Sequence, residues 1–184
     1  TLEEAKGKVP VLSGAGGYNT AEVIELAKEL QALGVDGLLS VTPYYNKPTQ
    51  EGLYQHYKAI ASAVRLPVVV YSVQGRTGVN VEPATLKRLA EIDNIVGVKE
   101  ASGNIAQIGA IASQLPERFN VLSGDDALAL PVIALGGRGL ISVASNEIPA
   151  EMSRLIRLCL ENNFPAAREL HRKYQPLMEI NFIE

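Results

Sequence analysis

Six short apolar or β-branched runs alternate with amphipathic stretches along this sequence, and that alternation restricts the chain to a parallel sheet whose strands are joined by helices. The runs are Val9–Ser13, Gly37–Thr42, Pro67–Val73, Ile95–Lys99, Asn120–Ser123 and Gly139–Ala144. Their starts lie about 20 to 30 residues apart, which is the length of one strand plus one crossover helix. Their composition is that of strands buried on both faces.

The connecting helices carry their own start and stop signals. In Asn19-Thr20-Ala21-Glu22, Asn19 can cap the free amides and Glu22 can return the bond; the stripe Val23, Ile24, Ala27, Leu30 and Leu33 follows at helical period, and Gly34 suits a left-handed terminus. Further helices are expected over Gln50–Val64, Pro83–Glu91, Asn104–Leu115, about Ala127–Leu135, and Pro149–Asn162. A last helix, from about Pro165 to Leu177, has no strand before it and reads as an appended layer. Residues Thr1 to Gly7 read as the tail of a helix.

Six consecutive βα units approach the eight of a TIM (β/α)8 barrel, yet a complete barrel usually takes about 250 residues against the 184 here. The expectation is a partial barrel over residues 1–163, lacking its N-terminal units, with residues 164–184 opening a C-terminal helical region. In such a piece the units beginning at Val9 and Gly139 would be open sheet edges, so these residues alone are expected to associate or to fall short of full activity.

Composition excludes several function classes. Net charge is only -3 and the 17 Lys and Arg are scattered, so there is no basic face for a phosphate backbone and no nucleic-acid partner is expected. Cys159 is the only cysteine, which rules out an internal disulfide and fits a cytoplasmic protein. No apolar run approaches the ~20 residues that span a bilayer, and Thr1 to Lys8 lack a signal-peptide core, so no membrane association is expected.

Chemistry concentrates at the strand ends. Alternation along Ile95-Val96-Gly97-Val98-Lys99 puts Lys99 on the face of Ile95 and Gly97, as the last residue of the strand. An ammonium among aliphatic side chains loses hydration and its pKa falls, which releases the neutral amine that adds to a ketone. A lysine at a strand end is equally read as an exposed residue paired with Glu100 or reaching to water. Within the third run, the apolar stretch Val68-Val69-Val70 ends in Tyr71, where a phenol can shuttle protons or simply pack with its hydroxyl on a carbonyl. The glycine-flanked loop Gln74-Gly75-Arg76-Thr77-Gly78 presents either a guanidinium for a carboxylate or a solvated turn residue. Tyr44 and Tyr45 are adjacent and cannot both face the same way; one can face the site while the other packs at a subunit contact. Gly14-Ala15-Gly16-Gly17 lacks the lysine of a phosphate loop and is equally explained by a tight turn. Asp125-Asp126 has no nearby histidine, so no metal is expected. His56 and His171 fall within helices as surface or packing residues, and Cys159 lies on the apolar stripe Met152, Leu155, Ile156.

Taken together, Thr42-Pro43-Tyr44-Tyr45-Asn46, Tyr71 through Gly78, Val96-Gly97-Val98-Lys99-Glu100-Ala101-Ser102-Gly103-Asn104, Leu122-Ser123-Gly124-Asp125-Asp126 and Gly139-Leu140-Ile141-Ser142-Val143 closely resemble the dihydrodipicolinate synthase (4-hydroxy-tetrahydrodipicolinate synthase) family. The resemblance covers essentially the whole chain, from the family's third barrel strand to just after its eighth. It implies a class I aldolase-type barrel and a lyase of lysine (diaminopimelate) biosynthesis that condenses pyruvate with L-aspartate 4-semialdehyde, as a homodimer or homotetramer. It also implies that Lys99 holds pyruvate as a Schiff base without any separate cofactor, that Tyr71 relays protons, and that Arg76 binds the semialdehyde carboxylate. Tyr45 would reach across a dimer interface, and Gly124 and Ile141 would line the pyruvate pocket. N-acetylneuraminate lyase and keto-deoxy sugar acid aldolases share the lysine and the tyrosine but usually lack the arginine, so Arg76 favours the synthase. Ser72 and Gln74 replace the family's usual asparagine and proline, a change expected to loosen that loop. The family's Thr-Thr-Gly-Glu motif, whose second threonine links two tyrosines, is not in this sequence, and the chain ends short of the family's last helices. A catalytically inactive barrel fragment is therefore the alternative from a different class.

Overall fold

The computed structural model describes residues 1–5 and 7–183; Lys6, within the expected opening helix, and Glu184 lie outside the described residues. Its strands run in sequence order, β1 to β6, through one sheet. The chain divides into two compact units, residues 1–98 with 115–119, and residues 99–114 with 120–184.

The first unit contains α1 (Leu2–Ala5), β1 (Leu12–Gly14), α2 (Thr20–Leu33), β2 (Gly37–Val41), α3 (Gln50–Ala63), β3 (Val68–Ser72), α4 (Gln74–Thr77), α5 (Pro83–Leu89) and most of β4 (Ile95–Glu100). β1 and β2 pair in parallel with Leu12 opposite Gly37, and β2 and β3 with Leu38 opposite Val68. Leu38, Val68 and Val70 on the strands and Leu53, Tyr57 and Ile60 on α3 are fully buried. Each such aliphatic side chain contributes roughly 1.5–3 kcal/mol, so the helical face of α3 supplies a large part of this core. The Asn94 amide donates to the carbonyls of Ala61, Val64 and Leu66, tying the end of α3 to the start of β4. α2 begins as its sequence requires: Asn19 accepts from the Ala21 amide and donates to Glu22, and Gly34 closes the helix at φ 85°.

The second unit holds the end of β4, α6 (Ile105–Gln114), β5 (Asn120–Ser123), α7 (Ala129–Ala134), β6 (Gly139–Leu140), a 3-10 turn (Ala144–Asn146), α8 (Pro149–Leu160) and α9 (Phe164–Ile180). β5 and β6 pair in parallel with Leu122 opposite Gly139. Ile133, Met152, Leu155, Cys159, Ala167 and Met178 form one buried cluster shared by α7, α8 and α9. Burial pushes the Cys159 thiol above its usual range, as its place on the apolar stripe implies. No helix among the described residues is long and apolar enough to cross a membrane.

Four elements differ from their sequence expectation. β1 is shorter, and Leu12 is 46% exposed rather than buried on both faces, because this strand lies at the end of the sheet order. β6 stops at Leu140 instead of running to Ala144: the Ile141 amide still donates to Ser123 O at 2.9 Å, but the amides of Val143 and Ala144 turn to the Asp126 carboxylate. The loop after β3 contains a turn of helix, α4, closed by Arg76 and Thr77 amides on Val73 O and by Gly78 N on Gln74 O at 2.8 Å. α9 continues past Leu177 to Ile180 with Pro176 inside it.

His56 gives this fold a pH dependence. The ring is 5% exposed, with Nδ1 2.8 Å from Thr20 Oγ1 and its edge against Tyr57 at 5.2 Å, and Nε2 has no hydrogen-bond partner among the described residues. Burial alone lowers its pKa from 6.5 to about 4. The unfolded chain therefore takes up a proton below pH 6.5 that the folded chain refuses until about pH 4, so stability is full above that window and falls as pH drops through it. Urea midpoints measured between pH 7 and pH 4 are expected to fall less steeply in His56→Gln than in the parent; parallel curves would contradict this.

Candidate functional site

In the second unit the site is built around Lys99. β4 carries it to the sheet's carboxyl end, where it is 8% exposed and burial lowers its amine pKa, with the Asp126 carboxylate pulling partly back. Glu100 is not its counter-ion: at 1% exposure its carboxyl accepts from Ser102 N, Ser102 Oγ and Gln107 Nε2. Burial nonetheless raises the Glu100 pKa, with those bonds opposing the rise. Gly124 lies directly against the lysine stem. Its amide donates to Glu100 O at 2.8 Å, and a Cβ built on it would stand 2.8 Å from Ala101 Cβ, 3.0 Å from Lys99 Cε and 3.1 Å from Lys99 Cγ. Only glycine allows that approach. Ile141, half-buried, leaves β6 through its bond to Ser123 O, so Lys99, Gly124 and Ile141 all sit at the carboxyl ends of neighbouring strand segments of this unit.

In the first unit Tyr71 and Arg76 line one cavity of about 560 Å³ with Tyr44, Thr77, Val41 and Gly16. Partial burial raises the Tyr71 pKa and the nearby Arg76 charge lowers it, so the phenol keeps its proton at neutral pH. Arg76 is presented by α4, and α4 is held from beneath by Thr77: its hydroxyl accepts from Thr42 Oγ1 at 3.2 Å and reaches the carbonyls of Val73 and Val79 at 3.1 Å. Ser72, the last residue of β3, is buried and accepts from Val81 N. Tyr45 does not join this cavity. It is 90% exposed at φ 69°, a left-handed conformation tightened by Asn46 N on Tyr44 O, while Tyr44, 41% exposed, lines the cavity mouth and meets Tyr18 edge-on at 5.6 Å. Gly16 serves packing, since a Cβ there would lie 2.4 Å from Val41 Cγ1 and 2.8 Å from Val41 N.

Sequence reasoning left out three contributors. Tyr44 was legible only as one of two adjacent aromatics, Thr77 only as part of a loop, and Asp126 only as half of an acidic pair. Asp126 accepts from Ser142 Oγ, Val143 N at 3.0 Å and Ala144 N at 3.2 Å, which occupies its carboxylate within the protein.

A model of the dihydrodipicolinate synthetase family matches residues 1–184. The chain belongs to that family. The 4-hydroxy-tetrahydrodipicolinate synthase of Koribacter versatilis is 56% identical over 185 residues, covering 100% of this chain and 62% of the relative. That of Archaeoglobus fulgidus is 52% identical over 177 residues, covering 96% and 61%. The chain thus spans about three-fifths of the length of the curated relatives it matches. Among solved structures, dihydrodipicolinate synthase from Aquifex aeolicus superposes with a TM-score of 0.97 at 45% identity, covering 100% of this chain and 63% of that one. The enzyme from Thermotoga maritima gives 0.97 at 47% identity with the same coverage. These matches establish the six units as parts of the family's α/β barrel fold.

The close approach at Gly124 yields a prediction within this family fold. Gly124→Ala is expected to cost about 1–3 kcal/mol in urea denaturation, because Ala101 and Lys99 must both shift. Gly14→Ala, where a Cβ meets nothing within 4 Å, is expected to stay within about 0.5 kcal/mol. Equal losses would show that the contact with Lys99 is not what excludes a side chain.

Proposed function

We propose that this chain carries the reactive core of a Schiff-base lyase that condenses pyruvate with L-aspartate 4-semialdehyde to 4-hydroxy-tetrahydrodipicolinate, in lysine biosynthesis in the cytoplasm. The observation that carries this reading is the desolvated amine of Lys99, 8% exposed at a strand end with its pKa lowered by burial. The names of the relatives support the choice of substrates.

The chemistry asks for little more than these side chains supply. The neutral Lys99 amine adds to the ketone carbon of pyruvate, water leaves, and an iminium forms. Loss of a proton from the adjacent methyl gives an enamine, whose carbon attacks the semialdehyde aldehyde; the semialdehyde's own amine then adds to the regenerated iminium carbon, closing the ring and expelling the Lys99 amine. Tyr71, a protonated phenol, is assigned the proton transfers. Arg76 is assigned the semialdehyde carboxylate, which a guanidinium binds through two parallel bonds. Gly124 and Ile141 are assigned to the pyruvate pocket, Gly124 because its missing side chain leaves the lysine stem room. Tyr45, exposed and held in a strained turn, is assigned to a second copy's site in a homodimer or homotetramer. The covalent adduct on Lys99 makes a separate cofactor unnecessary in this scheme.

Pyruvate with borohydride is expected to leave a reduced adduct that maps to Lys99 alone. A label on another lysine, or none, would overturn the assignment. Arg76→Ala is expected to keep that adduct yet lower use of the semialdehyde by about ten- to a hundred-fold, the equivalent of ~1.5–3 kcal/mol for a charge-assisted bond. Equal damage to both steps would make the arginine structural.

A further inference from the structure

The segment from Ser123 to Asp126 touches the lysine at one end and the outgoing turn of β6 at the other. Gly124 packs on the Lys99 stem, Ser123 O receives the Ile141 amide, and Asp126 receives Ser142 Oγ, Val143 N and Ala144 N. Ser142 Oγ in turn accepts from Ser145 N at 2.8 Å, which starts the 3-10 turn at Ala144. Asp126 is 1% exposed, and a buried carboxylate is tolerated only where donors and positive charge surround it.

Three donors on adjacent residues do more than solvate the acid. Two of them are consecutive amides, which in a strand would point to opposite sides, bound to one carboxylate oxygen, so the chain is held in a turn after Ile141. The position of Ile141 is thus set from both sides, by Ser123 before the turn and by Asp126 within it.

We propose that Asp126 is a positioning residue for the Lys99 site: its buried carboxylate fixes the turn that follows Ile141, from the same short segment whose Gly124 packs on the lysine stem. The proposal rests on the Schiff-base assignment of Lys99 for its functional meaning. The coupling itself is independent of pyruvate. Burial depresses the lysine's basicity, and Asp126 is the group that opposes it. The hydrogen bonds of the acid hold the turn after Ile141.

Two substitutions separate charge from geometry. Asp126→Asn keeps acceptors for Val143 N and Ala144 N but removes the charge, whereas Asp126→Ala removes both. Competitive acetylation with acetic anhydride across a pH series, read by peptide mass spectrometry, reports the titration midpoint of Lys99 beside the exposed Lys28 as reference. In Asp126→Asn the Lys99 midpoint is expected to move to lower pH while Lys28 stays, and amide exchange at Val143 and Ala144 is expected to remain slow. In Asp126→Ala that exchange is expected to accelerate as well. An unmoved Lys99 midpoint in Asp126→Asn would overturn the proposal, as would unchanged exchange in Asp126→Ala; if the alanine variant does not fold, the asparagine variant decides alone. Pyruvate and borohydride applied to the parent test the Schiff-base assignment separately, because the acetylation series contains no pyruvate.

Discussion

Removal of water from one ammonium is the constraint to which the rest of the second unit answers. A charged lysine at 8% exposure is costly, and the protein meets that cost by lowering its basicity instead of pairing it with the nearest acid in sequence. Glu100 accepts from Ser102 and Gln107, and the Asp126 carboxylate opposes the effect of burial on the amine. Gly124 exists because the lysine stem fills the volume where a side chain would be. The same buried acid ends β6 early, so one carboxylate bears on both the electrostatics and the shape of this region.

The first unit solves a different problem, the presentation of a guanidinium without a flexible loop. α4 is only one turn long and exposes Arg76, but Thr77 beneath it is buried and bonded to Thr42 and to the carbonyls of Val73 and Val79. A long side chain on a fixed turn loses less entropy when it binds than one on a mobile loop. Nearby, the adjacent Tyr44 and Tyr45 part company: Tyr44 lines the cavity, while Tyr45 is 90% exposed.

Strand and helix order were legible because hydrophobic period and caps are local signals, as the Asn19 cap and Gly34 terminus illustrate. Lys99 and Tyr71 were legible as polar residues near strand ends and Arg76 as the cation of a glycine-flanked loop, and family resemblance suggested their roles. Features that depend on contacts distant in sequence were not. The truncation of β6 comes from a carboxylate 17 and 18 residues earlier in the chain. The α4 turn owes its hold to Thr42, 35 residues before Thr77. Pro176 reads as a helix breaker, yet Met178 beyond it is buried in the cluster of α7, α8 and α9, and that packing outweighs the lost bond.

Crystals of the protein soaked in pyruvate provide the most direct test that Lys99 is the nucleophile. The account predicts continuous electron density from Lys99 Nζ to the C2 atom of pyruvate, with the Gly124 backbone beside the new bond. Pyruvate bound without a covalent link, or linked to any other lysine, would contradict it.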